Sequence, residues 1–318
     1  MNTKEIKIIG VGKSGIAVLE GMKHDSFTNT DLIVCDIDSN NLSKSSIENK
    51  IQLVTGKART LTPITNIEKD CHLNVELDMA MDATINAFDE INSIFTEDSK
   101  MAILITDLGE TTGTGVTPVI AQIAKNRELS VMAIVLTPFD LMGKNAKQIA
   151  NYGLEKLDED CDFVIVIDNN KLQKIYGKTS LKNFAKKTEQ IIIRLLKLIL
   201  PLESKNSEQL HLGSFLTKHR KDKNLFIGIG EASGKWRARQ AVEEALKNIL
   251  YYRDDIQGTT TIFLDIYFGN TIISSDEQTD IKKSVIHNAG KNADVKFSIN
   301  QDISLEESIS IMVIAYQL

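Results

Sequence analysis

Short apolar runs alternate with amphipathic stretches through the first half of the chain. Runs of strand length occur at 6–9, 32–35, 101–105, 131–136 and 163–167. Helical spacing follows two of them, at 16–22 and 118–125. A run that is apolar at nearly every position is typical of a parallel strand covered on both faces. The alternation therefore predicts a doubly wound α/β domain.

One long helix is predicted where the pattern changes, near residue 180. Its apolar positions recur at helical spacing and give it a wide apolar face. These positions are Phe184, Ile191, Ile192, Leu195 and Ile199. Residues 201–222 are polar and irregular, which predicts a connecting loop. The helix would then join two domains.

The last third of the chain predicts a smaller α+β domain. We expect strands at 225–229, 261–267, 294–298 and 309–315, and helices at 235–250 and 276–289. Mixed strands and helices of this kind are typical of an α+β arrangement. The predicted organisation is 1–178 for the α/β domain, 179–200 for the central helix, 201–222 for the loop and 223–318 for the α+β domain.

Composition excludes several classes of protein. The 318 residues include 37 basic and 43 acidic side chains, and the net charge of −6 offers no basic field to nucleic acid. We find no signal peptide and no apolar run near the roughly 20 residues of a membrane helix. Cys35, Cys71 and Cys161 lack metal-site spacing. We therefore expect a cytoplasmic protein with reduced thiols, no nucleic-acid partner, no membrane insertion and no cysteine-bound metal.

The first glycine loop matches G-x-G-x-x-G. Residues 10–15 have the sequence GVGKSG and form a predicted turn between a strand and a helix. Asp36 and Asp38 follow about twenty residues later, as in the dinucleotide-binding fingerprint. Glycines let the backbone approach phosphate, and a helix N-terminus presents free N–H groups. Taken alone, this loop predicts an NAD-dependent Rossmann enzyme or, without a ligand, a tight turn.

A second glycine loop changes that interpretation. Residues 109–115, GETTGTG, follow a predicted strand and precede a helix expected to begin near Pro118. Backbone N–H groups from 113 to 116 would form an anion-binding nest, to which the Thr112 and Thr114 hydroxyls add hydrogen bonds. A dinucleotide needs only the first loop for its pyrophosphate. Two such corners in one sheet favour a triphosphate held from two sides.

Five blocks of sequence, in order, resemble the FtsZ/tubulin family. They are IIGVG at 8–12, GTGVTPVI at 113–120, VLTPF at 135–139, DFVIVIDNNKL at 162–172 and GIGEASG at 228–234. The resemblance covers nearly the whole chain. It implies a tubulin/FtsZ-like fold, in which a Rossmann-like nucleotide-binding domain is joined by a long central helix to the smaller α+β domain. It also implies GTP or GDP as the ligand and self-association into filaments or oligomers.

The resemblance also implies which residues bind the nucleotide. On the phosphate side these are Gly10, Gly12, Gly15, Gly109, Glu110, Thr112, Gly113, Thr114 and Gly115. Asn169 would hydrogen-bond the base, and Glu189 stands where the family has an aspartate that accepts the guanine N1–H and 2-amino group. Adenine offers no matching pair of donors, so a carboxylate here favours guanine. The alternative for Glu189 is a solvated helix residue.

Several positions depart from the family pattern. Glu110 and Thr111 replace glycines of the signature loop. Glu110 either repels phosphate or binds Mg²⁺, which prefers carboxylate and phosphate oxygens. Further departures are Met142 for a ribose-binding glutamate, Ala146 near an expected arginine, and Gly56-Lys57-Ala58-Arg59-Thr60 for a glycine-rich γ-phosphate loop, with Lys57 or Arg59 as substitute charges.

The largest departure lies in residues 207–217. In the family this loop carries two aspartates that reach the next subunit of a filament and orient the water that attacks the γ-phosphate. Gly213 and Leu216 stand at those positions, and neither can orient water. Glu208 and His211 are nearby but out of register. The catalytic residues therefore stay unassigned, and we expect weak or absent GTP hydrolysis.

The favoured hypothesis is an FtsZ-like GTP-binding cytoskeletal protein, and the fold alone does not choose between cell division, envelope shaping and DNA segregation. A second hypothesis is a non-polymerising nucleotide-binding or scaffold homologue. A third is the NAD-dependent enzyme that the first loop alone would predict, which leaves residues 109–115 and 162–172 unexplained.

Overall fold

The computed structural model describes residues 4–23, 27, 29–55, 75–177, 179–200, 225–252 and 255–316. These residues form two compact units, one from 4–170 and 179–200 and one from 171–177 and 225–316. Within the described ranges, no helix combines the length and apolar character needed to cross a membrane. The boundaries predicted at 178/179 and 222/223 touch residues outside these ranges and stay predictions.

The first unit is built on a parallel six-stranded sheet. Its strands are β1 (Ile6–Val11), β2 (Thr30–Asp36), β3 (Asn49–Gln52), β4 (Met101–Asp107), β5 (Ser130–Thr137) and β6 (Phe163–Asp168). Their order is β3-β2-β1-β4-β5-β6, and every neighbouring pair is parallel. The chain therefore changes direction across the sheet between β1 and β4. Ligands of such sheets bind at the carboxyl ends of the strands beside this switch point.

Helices cover both faces of this sheet. They are α1 (Gly12–Met22), α2 (Ser39–Lys44), α3 (Val75–Asn86), α4 (Phe88–Ile94), α5 (Thr111–Asn126), α6 (Gly143–Asp160), α7 (Asn169–Tyr176) and α8 (Leu181–Ile199). The long helix predicted near residue 180 is α8, which packs on α1. Buried aliphatic side chains of β1, β4 and β5 form the centre of the core. The predicted doubly wound α/β architecture is confirmed.

Two helix starts differ from the sequence prediction. The sequence predicts a turn at residues 10–15. In the structure β1 continues to Val11 and α1 begins directly at Gly12. The helix expected near Pro118 begins at Thr111, so that Pro118 lies well inside α5. Here the glycines allow close packing of the helix on the sheet, which outweighs their low helix propensity.

The second unit has a mixed five-stranded sheet. Its elements are β7 (Leu225–Ala232), α9 (Arg237–Lys247), β8 (Ile249–Tyr252), β9 (Thr261–Phe268), α10 (Ser275–Ala289), β10 (Asp294–Gln301) and β11 (Ile309–Tyr316). The strand order is β10-β9-β11-β7-β8, with β9 and β10 parallel and the other pairs antiparallel. The helix predicted to reach residue 250 was too long, because β8 begins at Ile249. The smaller α+β domain is otherwise confirmed.

Candidate nucleotide-binding site

The first corner, between β1 and α1, uses its glycines in two ways. A Cβ atom on Gly10 would lie 2.5 Å from the Gly15 carbonyl oxygen, and one on Gly15 would lie 2.3 Å from that of Ile105. These two glycines therefore let α1 lie close on β1 and β4. Gly12 has a φ of +70°, but a Cβ there would meet no atom closer than 3.8 Å. Gly12 is thus required by its backbone conformation, whereas its neighbours would leave room for a Cβ atom.

The second corner, between β4 and α5, is shaped by contacts of the same kind. A Cβ on Gly113 would lie 1.9 Å from the Asp107 carbonyl oxygen, so only glycine allows α5 to start here. Gly109 has a φ of +96°, and its N–H donates a 2.9 Å hydrogen bond to the Thr114 hydroxyl oxygen. The Thr114 side chain is fully buried. It therefore fixes the conformation of the loop from inside.

The free N–H groups lie earlier in α5 than the sequence predicted. The Thr114 N–H donates to the Glu110 carbonyl oxygen at 3.1 Å, so the expected nest from 113 to 116 is largely used within the helix. The first-turn amides of Thr111, Thr112 and Gly113 have no partner of this kind within a helix. In the part of the chain that the structure describes, no side chain caps α1 or α5, and neither first turn contains an acidic residue. Both helices therefore present N-termini without a side-chain cap, and such N-termini attract anions.

The two corners meet at the switch point of the sheet. The Ser14 hydroxyl donates to Oδ2 of Asp107 at 3.0 Å, and the Thr106 hydroxyl donates to the Val11 carbonyl oxygen at 3.2 Å. The position of a Cβ on Gly12 would lie 3.8 Å from the Thr112 side chain. The first turns of α1 and α5 thus border one crevice.

This crevice contains more negative charge than the sequence led us to expect. Burial raises the pKa of Asp107, although the hydrogen bond from Ser14 opposes the shift. Burial and then the charge of Asp107 raise the pKa of Glu110, the residue before α5. Asp36 is buried at the end of β2 and also raises both values. Asp107 was not among the predicted site residues. Its place directly after a buried strand, beside a glycine loop, was the signal that could have revealed it.

Asn169 and its neighbour Asn170 connect two loops at the carboxyl ends of β5 and β6. The Asn169 Nδ2 donates to the Thr137 carbonyl oxygen at 2.8 Å, and only 9% of the residue is exposed. Asn170 accepts from the Asp140 N–H at 2.8 Å and donates to the Pro138 carbonyl oxygen at 3.3 Å. These bonds tie the start of α7 to the loop after β5.

Glu189 lies half-buried on α8, and burial raises its pKa while Lys186 opposes the shift. The rings of Phe139 and Phe184 contact each other with centroids 5.5 Å apart. This contact places the start of α8 beside the loop after β5, about one and a half turns before Glu189. In the described ranges no hydrogen bond joins Glu189 to Asn169.

Of the remaining departures from the family pattern, two residues lie inside the described part of the chain and two segments lie outside it. Met142 is 43% exposed before α6, whereas Ala146 is buried and its carbonyl oxygen lies beside Gly109. The 56–66 segment with Lys57 and Arg59, and the 207–217 segment with Glu208, His211, Gly213 and Leu216, lie outside the described residues. Within those described, no group of three or more His, Cys, Asp or Glu side chains is arranged to hold a metal ion.

Comparison with known proteins covers both units. The model of the Tubulin/FtsZ family, GTPase domain, matches residues 5–177. The model of the FtsZ family, C-terminal domain, matches residues 224–318. The chain belongs to the Tubulin/FtsZ family. The resemblance noted in the sequence is thereby confirmed, and neither match supports the NAD-dependent alternative.

Individual relatives agree with this assignment. The chain is 27% identical over 315 residues to the cell division protein FtsZ of Pseudomonas aeruginosa, covering 98% of this chain and 77% of that one. It is 28% identical over 310 residues to cell division protein FtsZ 1 of Pyrococcus furiosus, covering 97% and 80%.

Solved structures of the family share the fold. An empty FtsZ dimer from M. jannaschii superposes with a TM-score of 0.72 at 24% identity, covering 99% of this chain and 88% of that one. The GTPγS-bound protofilament of CetZ2 from Haloferax volcanii gives a TM-score of 0.65 at 15% identity, covering 98% and 93%.

Proposed function

We propose that this chain binds GTP and GDP at the switch point of its six-stranded sheet. The observation that carries the proposal is the meeting of two uncapped helix N-termini, those of α1 and α5, across one crevice. Aligned N–H groups and helix dipoles stabilise phosphate from two sides. A dinucleotide fold with a single phosphate corner needs only one of them.

The predicted phosphate-side residues divide into two groups in this proposal. Gly12, Thr112 and Gly113 contribute backbone N–H groups to the phosphates. The others shape the corners by allowing close packing or fixing a loop: Gly10, Gly15, Gly109, Thr114 and Gly115. Glu110 adds negative charge, which a Mg²⁺ ion on the phosphates would offset.

The base would lie toward α7 and α8. The Asn169 amide nitrogen is occupied by Thr137, which orients its carbonyl oxygen for a ligand N–H. The Glu189 carboxylate would accept the two guanine donors. Partial burial strengthens such bonds, because it lowers the local dielectric constant.

We also propose self-association with weak or absent hydrolysis. Relatives with the same fold include a dimer and a protofilament, which supports assembly of this chain into filaments. Gly213 and Leu216 replace the aspartates that would orient water, and phosphoryl transfer depends on such positioning. The curated relatives are named as cell division proteins, and we extend that role to this chain.

One set of measurements tests the proposal. The nucleotide released from denatured purified protein is identified, and phosphate release and sedimentation are then followed with added GTP. We expect GDP or GTP, little phosphate release and nucleotide-dependent sedimentation. Bound NAD would overturn the proposal. Turnover typical of an ordinary FtsZ would contradict the hydrolysis part alone, and a persistent monomer would favour the non-polymerising alternative.

A further inference from the structure

The Asp107 carboxylate lies in the crevice between the two glycine corners. Its Oδ2 accepts the hydrogen bond from Ser14, and its Oδ1 lies 3.8 Å from where a Cβ of Gly12 would stand. The carboxylate therefore lies beside the Gly12 backbone at the start of α1. Ser14 belongs to α1 and Asp107 to β4, so the bond holds the charge between both corners.

No cation neutralises this carboxylate in the described part of the chain. Burial raises the pKa of Asp107, and the exposed Lys13 lowers it less than the hydrogen bond from Ser14 does. Asp36 and Glu110 add further negative charge nearby. An anion entering the crevice would thus meet favourable N–H groups and an unfavourable carboxylate together.

We propose that Asp107 is an internal anion that opposes nucleotide phosphates and thereby sets the affinity of this site for charged nucleotides. The inference rests on the proposed nucleotide site and adds a residue that determines its affinity. A second negative charge a few ångströms from a phosphate, in a partly buried crevice, weakens binding by about tenfold or more.

The test compares variants that separate charge from hydrogen bonding. Asp107→Asn removes the charge, while its amide oxygen can still accept from Ser14. Ser14→Ala removes the hydrogen bond and keeps the charge. Asp160→Asn is the matched control. Burial also raises the pKa of Asp160, but this residue lies at the C-terminal end of α6 and pairs with Lys125.

Calorimetric titration with GDP and with guanosine, in EDTA, supplies the readout. We expect Asp107→Asn to bind GDP about tenfold more tightly than the unaltered chain. Guanosine has no phosphate, so its affinity should be the same in both. Ser14→Ala and Asp160→Asn should show no tightening for GDP. Millimolar Mg²⁺ should reduce the advantage of Asp107→Asn, because the ion offsets the same charge.

Unchanged or weaker GDP binding by folded Asp107→Asn would overturn the inference, as would an equal gain for guanosine. Circular dichroism establishes folding, and Asp107→Ser provides the same comparison if the asparagine variant does not fold. If neither GDP nor guanosine binds to any form, the proposed function fails instead. The two failures are therefore distinguishable.

Discussion

Glu20 on α1 accepts hydrogen bonds from the turn that precedes β3. The Ser45 hydroxyl and the Ser46 N–H both donate to Oε1 at 2.6 Å, and the Ser46 hydroxyl donates to Oε2 at 2.9 Å. Partial burial raises the pKa of Glu20, but the hydrogen bonds from Ser45, Ser46 and Lys23 lower it to about 2 from the ordinary 4.5. One carboxylate thus joins a helix to the edge of the sheet.

This shift predicts a specific loss of stability in acid. Because the folded pKa lies below the unfolded value, the contribution is complete above pH 4.5 and is lost as pH falls toward 2. Glu20→Gln should lower the free energy of unfolding by about 1–3 kcal/mol at pH 7. Urea denaturation between pH 3 and pH 7 measures both effects. Equal acid sensitivity of the two proteins would contradict the assignment.

Individual residues also show where sequence reasoning reached its limit. The glycine positions could be predicted, because a G-x-G-x-x-G loop requires them. The different structural roles of Gly12 and Gly15 could not be predicted, because they depend on which atoms lie next to each glycine in the folded chain. The Ser14–Asp107 hydrogen bond joins two segments that are distant in sequence, and no local sequence pattern predicts it.

Helix α1 packs closely on β1 and β4, and two substitutions there separate packing from backbone conformation. Gly15→Ala places a methyl group 2.3 Å from the Ile105 carbonyl oxygen. This substitution should lower the free energy of unfolding by about 1–3 kcal/mol or more. Gly12→Ala brings the new methyl group no closer than 3.8 Å to another atom. It should lower the free energy of unfolding by about 1–2 kcal/mol, because alanine is strained in the left-handed conformation. It should nevertheless weaken GDP binding, because the first amides of α1 shift. Thermal unfolding and GDP titration of both variants check this; a more stable Gly15→Ala would contradict it.

Arg237 connects four segments of the second unit. It is 5% exposed and forms two hydrogen bonds to Glu277, with Nε–Oε1 at 2.8 Å and Nη2–Oε2 at 3.2 Å. It also donates to the carbonyl oxygens of Thr271, Ile272 and Glu307. Glu277 in turn completes the capping box of α10 with Ser274.

Removal of this arginine should destabilise the second unit strongly. Arg237→Met leaves a partly buried carboxylate and several carbonyl oxygens without their donor, at a cost of about 3–5 kcal/mol. Trp236, the single tryptophan of the chain, adjoins it and reports on unfolding of this unit by fluorescence. Arg239→Met is the control, since Arg239 pairs with Glu243 on the surface. Equal midpoints for both variants would show that the Arg237 contacts contribute little.

Among the elements, sequence predicted the buried strands best. β5 and β6 are apolar at nearly every position, so burial and pattern agree. The start of α5 was wrong because close packing overrides the helix-breaking tendency of Gly113. The end of α9 was wrong because the apolar residues from Ile249 continue the helical pattern but pair with β7.

At the scale of the whole molecule, each unit has its own hydrophobic core, and the family assignment covers both. The resemblance also implies that hydrolysis depends on two molecules, since the loop at 207–217 would act on a neighbour's nucleotide. Restoring the aspartates by Gly213→Asp and Leu216→Asp should therefore raise phosphate release from GTP. These positions lie outside the described residues, so this prediction derives from the sequence.

Mixing two inactive proteins distinguishes action on a neighbour from action within one molecule. A triple variant carries both aspartates and Gly12→Asp, which adds a charge beside Asp107 and should prevent GTP binding. The unaltered chain binds GTP but lacks the aspartates. Neither should release phosphate alone, whereas the mixture should, because the loop of one molecule then acts on the nucleotide of the other. The double variant Gly213→Asp, Leu216→Asp could release phosphate while the mixture does not. The aspartates would then act within one molecule, and filament contacts would not be needed for hydrolysis.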